Sequence, residues 1–163
     1  MLFKTFWRKK IKQTDKTTDI INTFDRYKYK TTIDTRFADF DMMGHVNNAV
    51  YFTYFEVART KYWKQAIQWD WKKTGVVIAK ASIEYLKPVV LADRLSVYVR
   101  TSRIGKSSFD LEYLLIKLVD GHEAICAKGK TICVAFDYGN KVSIPIPEHE
   151  KNKMIIFEQL TDA

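Results

Sequence analysis

A single amphipathic helical pattern, placed early in the chain and followed by strand patterns, most restricts the fold of this sequence. Apolar side chains recur from Tyr51 at the spacing i, i+3, i+4, i+7 and i+11, which is the spacing of one buried helix face. The residues of this stripe are Tyr51, Tyr54, Phe55, Ala58 and Tyr62. The pattern predicts a helix from about Ala49 to Ala66, with Asn47 or Asn48 supplying the N-cap side chain.

Strand patterns surround the helix. Alternation of side-chain character between Tyr27 and Phe37 predicts a strand of about ten residues. Four further runs of strand type follow the helix, at 75–86, 94–104, 109–119 and 123–136. The first of them is rich in Val, Ile and Ala, so we expect it to be mostly buried. Asp120-Gly121 is a strong hairpin turn. One long helix and an antiparallel meander predict an α+β fold in which a curved sheet wraps the helix.

Charge and length divide the chain into three parts. Its 163 residues correspond to one domain, with a basic N-terminal extension at 1–26, a main domain at 27–147 and a tail or short helix at 148–163. Residues 1–30 hold nine Lys or Arg and three Asp, so they carry +6 of the net charge of +8. A nearly neutral main domain is unlike a nucleic-acid-binding surface.

The chain contains no apolar run long enough for a transmembrane helix and no secretory signal pattern. We therefore expect a cytoplasmic protein without integral membrane association. On a regular strand, the odd separation of Cys126 and Cys133 places them on opposite faces, which predicts unpaired thiols in a reducing compartment. The three histidines show no metal-ligand spacing, so no metal site is predicted.

The segment between the first strand and the helix carries residues suited to catalysis. Asp41 precedes Gly44 by three residues, in a loop leading to a helix N-terminus where unpaired N–H groups are available. Such donors stabilise an oxyanion on a carbonyl under attack, and a nearby carboxylate attacks that carbonyl or activates a water molecule. The alternative is that Asp41 only shapes the turn.

Three neighbouring side chains have a structural and a chemical interpretation. Asp39 orders the loop or acts on Asp41 by like-charge repulsion. His45 hydrogen-bonds the loop or works as an acid or base near neutral pH. Glu56 pairs with Arg59 inside the helix or serves as a second catalytic or water-positioning carboxylate.

A polar turn between two predicted strands is a candidate ligand site. Its members are Arg103, Gly105, Lys106, Ser107 and Ser108. Their backbone N–H groups, hydroxyls and cations suit a phosphate-bearing ligand, and a solvated basic turn is the alternative. No glycine-rich nucleotide-binding motif accompanies it.

The junction segment resembles the entry motif of hotdog-fold acyl-CoA thioesterases, and within them the 4-hydroxybenzoyl-CoA thioesterase-like family. The central run is Asp39-Phe40-Asp41-Met42-Met43-Gly44-His45-Val46-Asn47-Asn48, and the resemblance continues through Tyr51 into the helix. It covers about residues 27–147.

This resemblance implies a long helix wrapped by five or six antiparallel strands. It also implies protomers that pair their sheets edge to edge, as a homodimer or homotetramer with active sites at the dimer interface. Asp41 matches the catalytic carboxylate, and the loop from Gly44 to Asn48 matches the segment that polarises the thioester carbonyl. The turn from Arg103 to Ser108 matches one that meets coenzyme A.

The sequence therefore predicts a thioesterase that hydrolyses an acyl-CoA to a free acid and coenzyme A, without a further cofactor or a nucleic-acid partner. Asp41 is the predicted nucleophile or general base. The backbone from Val46 to Asn48 is predicted to contact the oxyanion, and Glu56 is a second candidate for a catalytic carboxylate. The alternatives are a non-hydrolytic acyl-CoA-binding domain and an acyl-thioester dehydratase, which needs a His paired with a carboxylate. The acyl chain, the choice between coenzyme A and acyl-carrier protein, and dimer or tetramer stay open.

Overall fold

The first strand of the described residues lies on one edge of a sheet, the chain then crosses the sheet as a helix, and the next strand lies on the opposite edge. The computed structural model describes residues 23–160. Strand β1 (Tyr29–Ile33) leads through a 3₁₀ turn (Phe37–Asp39) to helix α1 (Val50–Tyr62), which continues as a π-helical turn (Trp63–Ile67). The later elements are β2 (Gly75–Tyr85), β3 (Leu95–Ile104), β4 (Ser108–Val119), β5 (His122–Asp137), β6 (Val142–Ser143) and α2 (Glu148–Glu158).

The sheet is antiparallel and six-stranded, in the order β1-β3-β4-β5-β2 with β6 on β5. Because β1 and β2 lie at opposite edges, the intervening helix α1 has to cross the sheet. The predicted apolar stripe of α1 is buried along its whole length. Phe55 stacks on Tyr113 with ring centroids 4.8 Å apart, and a Cβ at Gly129 would collide with the Phe55 ring. The predicted packing of the helix on the sheet is confirmed.

The elements around the junction are shorter than predicted. The first strand has five residues, because the Asp39 carboxylate accepts a hydrogen bond from the Arg36 N–H at 2.8 Å and turns the chain away. The α-helical part begins at Val50, with Ala49 rather than an asparagine at the N-cap position. Asn47 instead accepts a hydrogen bond from the Ala49 N–H at 3.0 Å, one step before the helix.

The prediction that the strand at 75–86 is mostly buried is wrong. Among residues 23–160, strand β2 pairs only with β5, so it forms an edge of the described sheet. Ile78 is 44% exposed and Tyr85 is 43% exposed. The run of Val, Ile and Ala is therefore an open apolar surface within one chain.

The prediction that Cys126 and Cys133 lie on opposite faces is also wrong. Leu115 pairs with Ala127 while the next residue of β4, Ile116, pairs with Ile125, so Cys126 is the extra residue of a β-bulge. The bulge shifts the alternation by one residue, and both thiols are free and lie in the core. Burial raises the pKa of Cys126 to about 11 and that of Cys133 to about 12, which removes the thiolate needed for reactivity.

The ends of the described chain pack on the sheet. The Phe24 ring lies 5.1 Å from that of Tyr98, and the predicted C-terminal helix is α2. Most of the predicted basic extension falls at 1–22, outside the described residues, and the domain limits stay a prediction. Within 23–160, no helix is long and apolar enough to cross a membrane.

Candidate active site

Asp41 sits at the base of a tight turn. Its N–H donates to the His45 carbonyl at 2.8 Å, and the Gly44 N–H donates to the Asp41 carbonyl at 3.0 Å. The turn needs the positive φ of Gly44, +75°, which glycine adopts without strain. The segments that enter and leave the turn, its two arms, pair through an isolated antiparallel bridge between Phe40 and Val46.

The Asp41 carboxylate has one anchored oxygen and one open oxygen. Oδ1 accepts hydrogen bonds from the N–H groups of Met43 at 2.8 Å and His45 at 3.2 Å. Oδ2 has no hydrogen-bond donor among the described residues, and the side chain is exposed. The turn-forming and catalytic interpretations of Asp41 are therefore compatible, because each uses a different oxygen.

Asp39 is a buried structural carboxylate. It is 1% exposed and accepts hydrogen bonds from the Arg36 N–H, the Arg36 guanidinium and the Tyr54 hydroxyl at 2.8–3.0 Å. Burial alone would raise the pKa of Asp39, but these donors outweigh it and hold the pKa below its ordinary value. The contacts favour the structural interpretation of Asp39.

Within the segment from Gly44 to Asn48, one backbone N–H group has no acceptor among the described residues. The Val46 N–H donates to the Val89 carbonyl at 3.0 Å and the Asn47 N–H to the Asp39 carbonyl at 2.9 Å, so neither is free to polarise a substrate. The Asn48 N–H has no acceptor among the described residues, while the Asn48 carbonyl accepts from the Tyr85 hydroxyl at 2.8 Å. Of the three backbone N–H groups predicted to contact the oxyanion, only that of Asn48 therefore stays a candidate.

Two further predicted side chains, His45 and Glu56, form no hydrogen bond or ion pair within the described residues. The His45 ring is exposed and makes no hydrogen bond or ion pair within 23–160, so the His–carboxylate pair of a dehydratase is not formed there. Glu56 is exposed on α1, and the predicted ion pair with Arg59 is wrong. Arg59 turns inward instead, with Nη1 3.5 Å from the Tyr113 hydroxyl.

Tyr51 lies in the core below the loop rather than in the open site. It is 4% exposed, and its ring meets Tyr85 edge to face at 5.0 Å. Because Tyr85 also binds the Asn48 carbonyl, Tyr51 and Tyr85 together fix the start of α1 against β2. Tyr85 is a site residue that the sequence patterns did not reveal.

The polar turn at 103–108 is remote from Asp41 within one chain. Asn48 is hydrogen-bonded to Tyr85, which lies opposite Ala127 of β5. The turn at 103–108 instead leads into β4 at Phe109, which lies opposite Cys133 of β5. Ala127 and Cys133 are six residues apart on β5, which corresponds to a distance of about 20 Å along the strand. Arg103 is also engaged, with Nη2 2.8 Å from Asp110 Oδ1.

Other features do not define a competing centre. Within the described part of the chain, no three His, Cys, Asp or Glu side chains are grouped to hold a metal. A cavity of about 510 Å³ lies away from Asp41, among charged side chains that include Glu84, Glu112, Lys128 and Lys130.

Comparison with known proteins places this geometry in context. A family model, that of the thioesterase-like superfamily, matches residues 35–154. The uncharacterised protein YsmA of Bacillus subtilis is 31% identical over 130 residues, which are 79% of this chain and 86% of that protein. A thioesterase of Thermus thermophilus, solved with coenzyme A and Zn, is 34% identical with a TM-score of 0.72, covering 84% of this chain and 99% of that one.

The fold is shared more widely than the sequence. A 4-hydroxybenzoyl-CoA thioesterase variant, solved with 4-hydroxybenzoyl-CoA, has a TM-score of 0.71 at 15% identity, covering 77% of this chain and 97% of that one. At this identity the similarity concerns the fold alone. The predicted hotdog fold, a long helix wrapped by an antiparallel sheet, is confirmed.

Proposed function

The chain belongs to the thioesterase-like superfamily, and from this membership we propose that it hydrolyses an acyl-CoA thioester to a carboxylic acid and coenzyme A. One observation carries the proposal. The open oxygen of Asp41 and the unpaired Asn48 N–H lie on the two arms of one turn. A carboxylate and a backbone donor are the minimal apparatus for attack on an activated carbonyl.

In the proposed reaction the Asn48 N–H donates to the thioester oxygen as negative charge develops there. Asp41 Oδ2 either attacks the carbonyl carbon, giving a mixed anhydride that water then cleaves, or removes a proton from an attacking water. Collapse of the tetrahedral intermediate breaks the carbon–sulfur bond, and the leaving thiolate takes up a proton. Both routes use the same two groups and require no further cofactor, because coenzyme A is part of the substrate.

We further propose a homodimer formed through the free edge of β2, with a tetramer as the larger alternative. Edge strands that expose apolar side chains are usually covered, and Ile78 and Tyr85 are exposed there. Antiparallel pairing of two β2 edges would bring the partner's 103–108 turn to the Asn48 end of this chain. That arrangement supports coenzyme A binding by Lys106, Ser107 and Ser108 across the interface. The two free thiols fit the cytoplasm as compartment.

Replacing Asp41 by asparagine tests the assignment directly. The Asp41→Asn side chain keeps an oxygen for the Met43 and His45 N–H groups, so the turn should persist while the carboxylate is lost. We expect kcat to fall by about 10²–10⁴-fold, measured as thiol release from a panel of short, long and aromatic acyl-CoAs.

Asp34→Asn is the matched control, because Asp34 is an exposed carboxylate that precedes the same junction. It should leave kcat within about twofold of the wild type. Unchanged kcat in Asp41→Asn would overturn the role of Asp41. Tight acyl-CoA binding by the wild type without thiol release would favour the non-hydrolytic alternative.

A further inference from the structure

One side of α1 lies away from β1 and toward the part of the sheet formed by β5 and β2, since the neighbouring Phe55 ring packs on Gly129 of β5. Phe52, Glu56, Arg59 and Trp63 follow one another at helical spacing. The opposite side is used by Tyr54, which binds Asp39, and by Lys61, whose Nζ donates to the Thr32 carbonyl at 3.1 Å. The β2-facing side is partly open, with Phe52 43% exposed.

Two buried hydrogen-bond donors on this side of α1 have no acceptor within 23–160. They are Arg59 Nε and Trp63 Nε1, and Trp63 is only 5% exposed. The Arg59 guanidinium lies over the Trp63 ring at 5.5 Å, and no carboxylate of the described residues forms an ion pair with it. Buried donors without acceptors are rare in folded proteins and costly, and Arg59 is only partly buried, so its guanidinium is a candidate donor to a bound ligand.

The surface opposite these donors is apolar and leads to the proposed oxyanion donor. Ile78 pairs with Cys133, Ile83 with Gly129 and Tyr85 with Ala127, and these partners belong to the helix-facing side of β5. The same side of β2 is therefore apolar and open. At its end, the Tyr85 hydroxyl donates to the Asn48 carbonyl. The apolar side of β2 and the side of α1 that carries Arg59 therefore border one strip of the sheet, which begins at Asn48, and we refer to this strip as the cleft.

We infer that this cleft binds the acyl group and that Arg59, supported by Trp63, binds a carboxylate at the end of the acyl group remote from the thioester. The inference rests on the proposed function and names its substrate class, the mono-CoA thioesters of dicarboxylic acids. Arg59 supplies the charge, and the apolar strand β2 supplies the surface for the intervening carbons.

The helix sets the length of such a substrate. Val50 and Arg59 are separated by a helical rise of about 13 Å, and Asn48 precedes Val50 by two residues. Helical side chains lean toward the N-terminus, so the guanidinium lies roughly 10–16 Å from the Asn48 N–H. An extended chain advances about 1.2 Å per bond. A hydrogen bond of about 2.9 Å at each end takes up part of this distance, so the carboxylate is roughly four to thirteen bonds from the thioester carbonyl.

Matched pairs of substrates test the inference. The wild type is assayed with the mono-CoA thioester of decanedioic acid and with decanoyl-CoA, which differ at the remote end. We expect kcat/KM to favour the carboxylate-ended substrate by about 10- to 100-fold, the range of a hydrogen bond to a charged group. Arg59→Met should remove this preference by slowing only that substrate, and Arg59→Lys should restore part of it.

Lys64→Met is the control, since Lys64 is an exposed cation on the π-helical turn beyond the cleft. Equal kcat/KM for the two substrates in the wild type, in an enzyme that Asp41→Asn inactivates, would overturn the inference and leave the proposed function standing. Equal loss for both substrates in a folded Arg59→Met, together with dissociation of the oligomer, would also overturn it by assigning Arg59 to the interface. Hydrolysis of neither substrate nor of any acyl-CoA in the panel would instead overturn the proposed function.

Discussion

At the residue scale, the junction has two carboxylates with separate tasks. Asp39 is surrounded by donors and closed to solvent, whereas Asp41 is exposed with one oxygen open. The two differ because the chain turns in a 3₁₀ segment at Phe37–Asp39, which directs Asp39 inward to Tyr54. Their sequence spacing alone gives no such distinction.

Replacing Asp39 should affect stability more than chemistry. In Asp39→Asn, one accepting oxygen becomes an amide that faces the Arg36 or Tyr54 donors, so we expect a loss of about 1–3 kcal/mol. Urea denaturation at neutral pH measures it, with Asp34→Asn as the exposed control. A loss no larger than that of the control would contradict the structural role of Asp39.

The same variant has a defined pH dependence. The pKa of Asp39 is lowered in the folded state, so its stabilisation is present above the unfolded value of about 3.9. It is lost as pH falls through the folded pKa. The stability difference between wild type and Asp39→Asn should therefore be constant from pH 6 to 8 and shrink below about pH 4. A difference that grows on acidification would contradict this assignment.

At the element scale, α2 is held to the sheet by a buried carboxylate. Glu158 Oε1 accepts hydrogen bonds from the Tyr62 hydroxyl at 2.6 Å and the Thr101 N–H at 2.9 Å. Burial raises the pKa of Glu158, and the Tyr62 and Thr101 donors only partly oppose it. The terminal helix is thus docked through a group whose charge is disfavoured by its surroundings.

Glu158→Gln should stabilise the protein at neutral pH. The amide keeps an accepting oxygen for Tyr62 and Thr101 without the buried charge. For a raised pKa, the contribution of the wild-type group is full below the unfolded value of about 4.3 and is lost as pH rises through the folded pKa. We expect a gain on the order of 1 kcal/mol at pH 7.5 that vanishes near pH 4, measured by urea denaturation at both pH values.

The matched control is Glu148→Gln, at the exposed start of the same helix. It should change the free energy of unfolding by less than about 0.5 kcal/mol at either pH. A loss of stability in Glu158→Gln at pH 7.5 would show that the ionised carboxylate is needed for docking.

At the scale of the whole molecule, the groups of the proposed site are spread over two ends of one chain's sheet. Asp41 and Asn48 lie at one end of the sheet and the 103–108 turn lies at the other, about 20 Å away. A two-fold axis across the β2 edges reverses one sheet relative to the other, which would bring the two ends together. Dimerisation and substrate binding are thereby linked in the proposed function.

Disrupting the β2 edge tests this link. Ile78→Asp places a charge on the exposed edge strand and should convert the oligomer to monomers, seen as a lower mass in sedimentation. Activity should fall by at least about tenfold, since coenzyme A would lose the partner's turn and the new charge would lie on the side of β2 inferred to bind the acyl group. Ile156→Asp is the control, because Ile156 is an exposed isoleucine on α2. An active monomer, or an unchanged oligomer in Ile78→Asp, would contradict the proposed interface.

Local patterns made much of this fold predictable. The stripe from Tyr51 to Tyr62 and the hairpin at Asp120-Gly121 depend on neighbours in sequence, because helix periodicity and turn conformation are short-range properties. The Asp41 turn is equally local, since its hydrogen bonds span four residues or fewer. For these elements the sequence alone was sufficient to place the candidate catalyst at the entrance to α1.

Tertiary structure decided what the local patterns left open. The Val46 and Asn47 N–H groups were eliminated as oxyanion donors by carbonyls of Val89 and Asp39, and Arg59 was turned from a helix ion pair to an inward donor. The position of β2 at an edge made its apolar run exposed. Each outcome depends on which distant segments become neighbours when the sheet packs on α1. The spacing of residues along one element cannot predict these contacts, because it reflects only short-range structure.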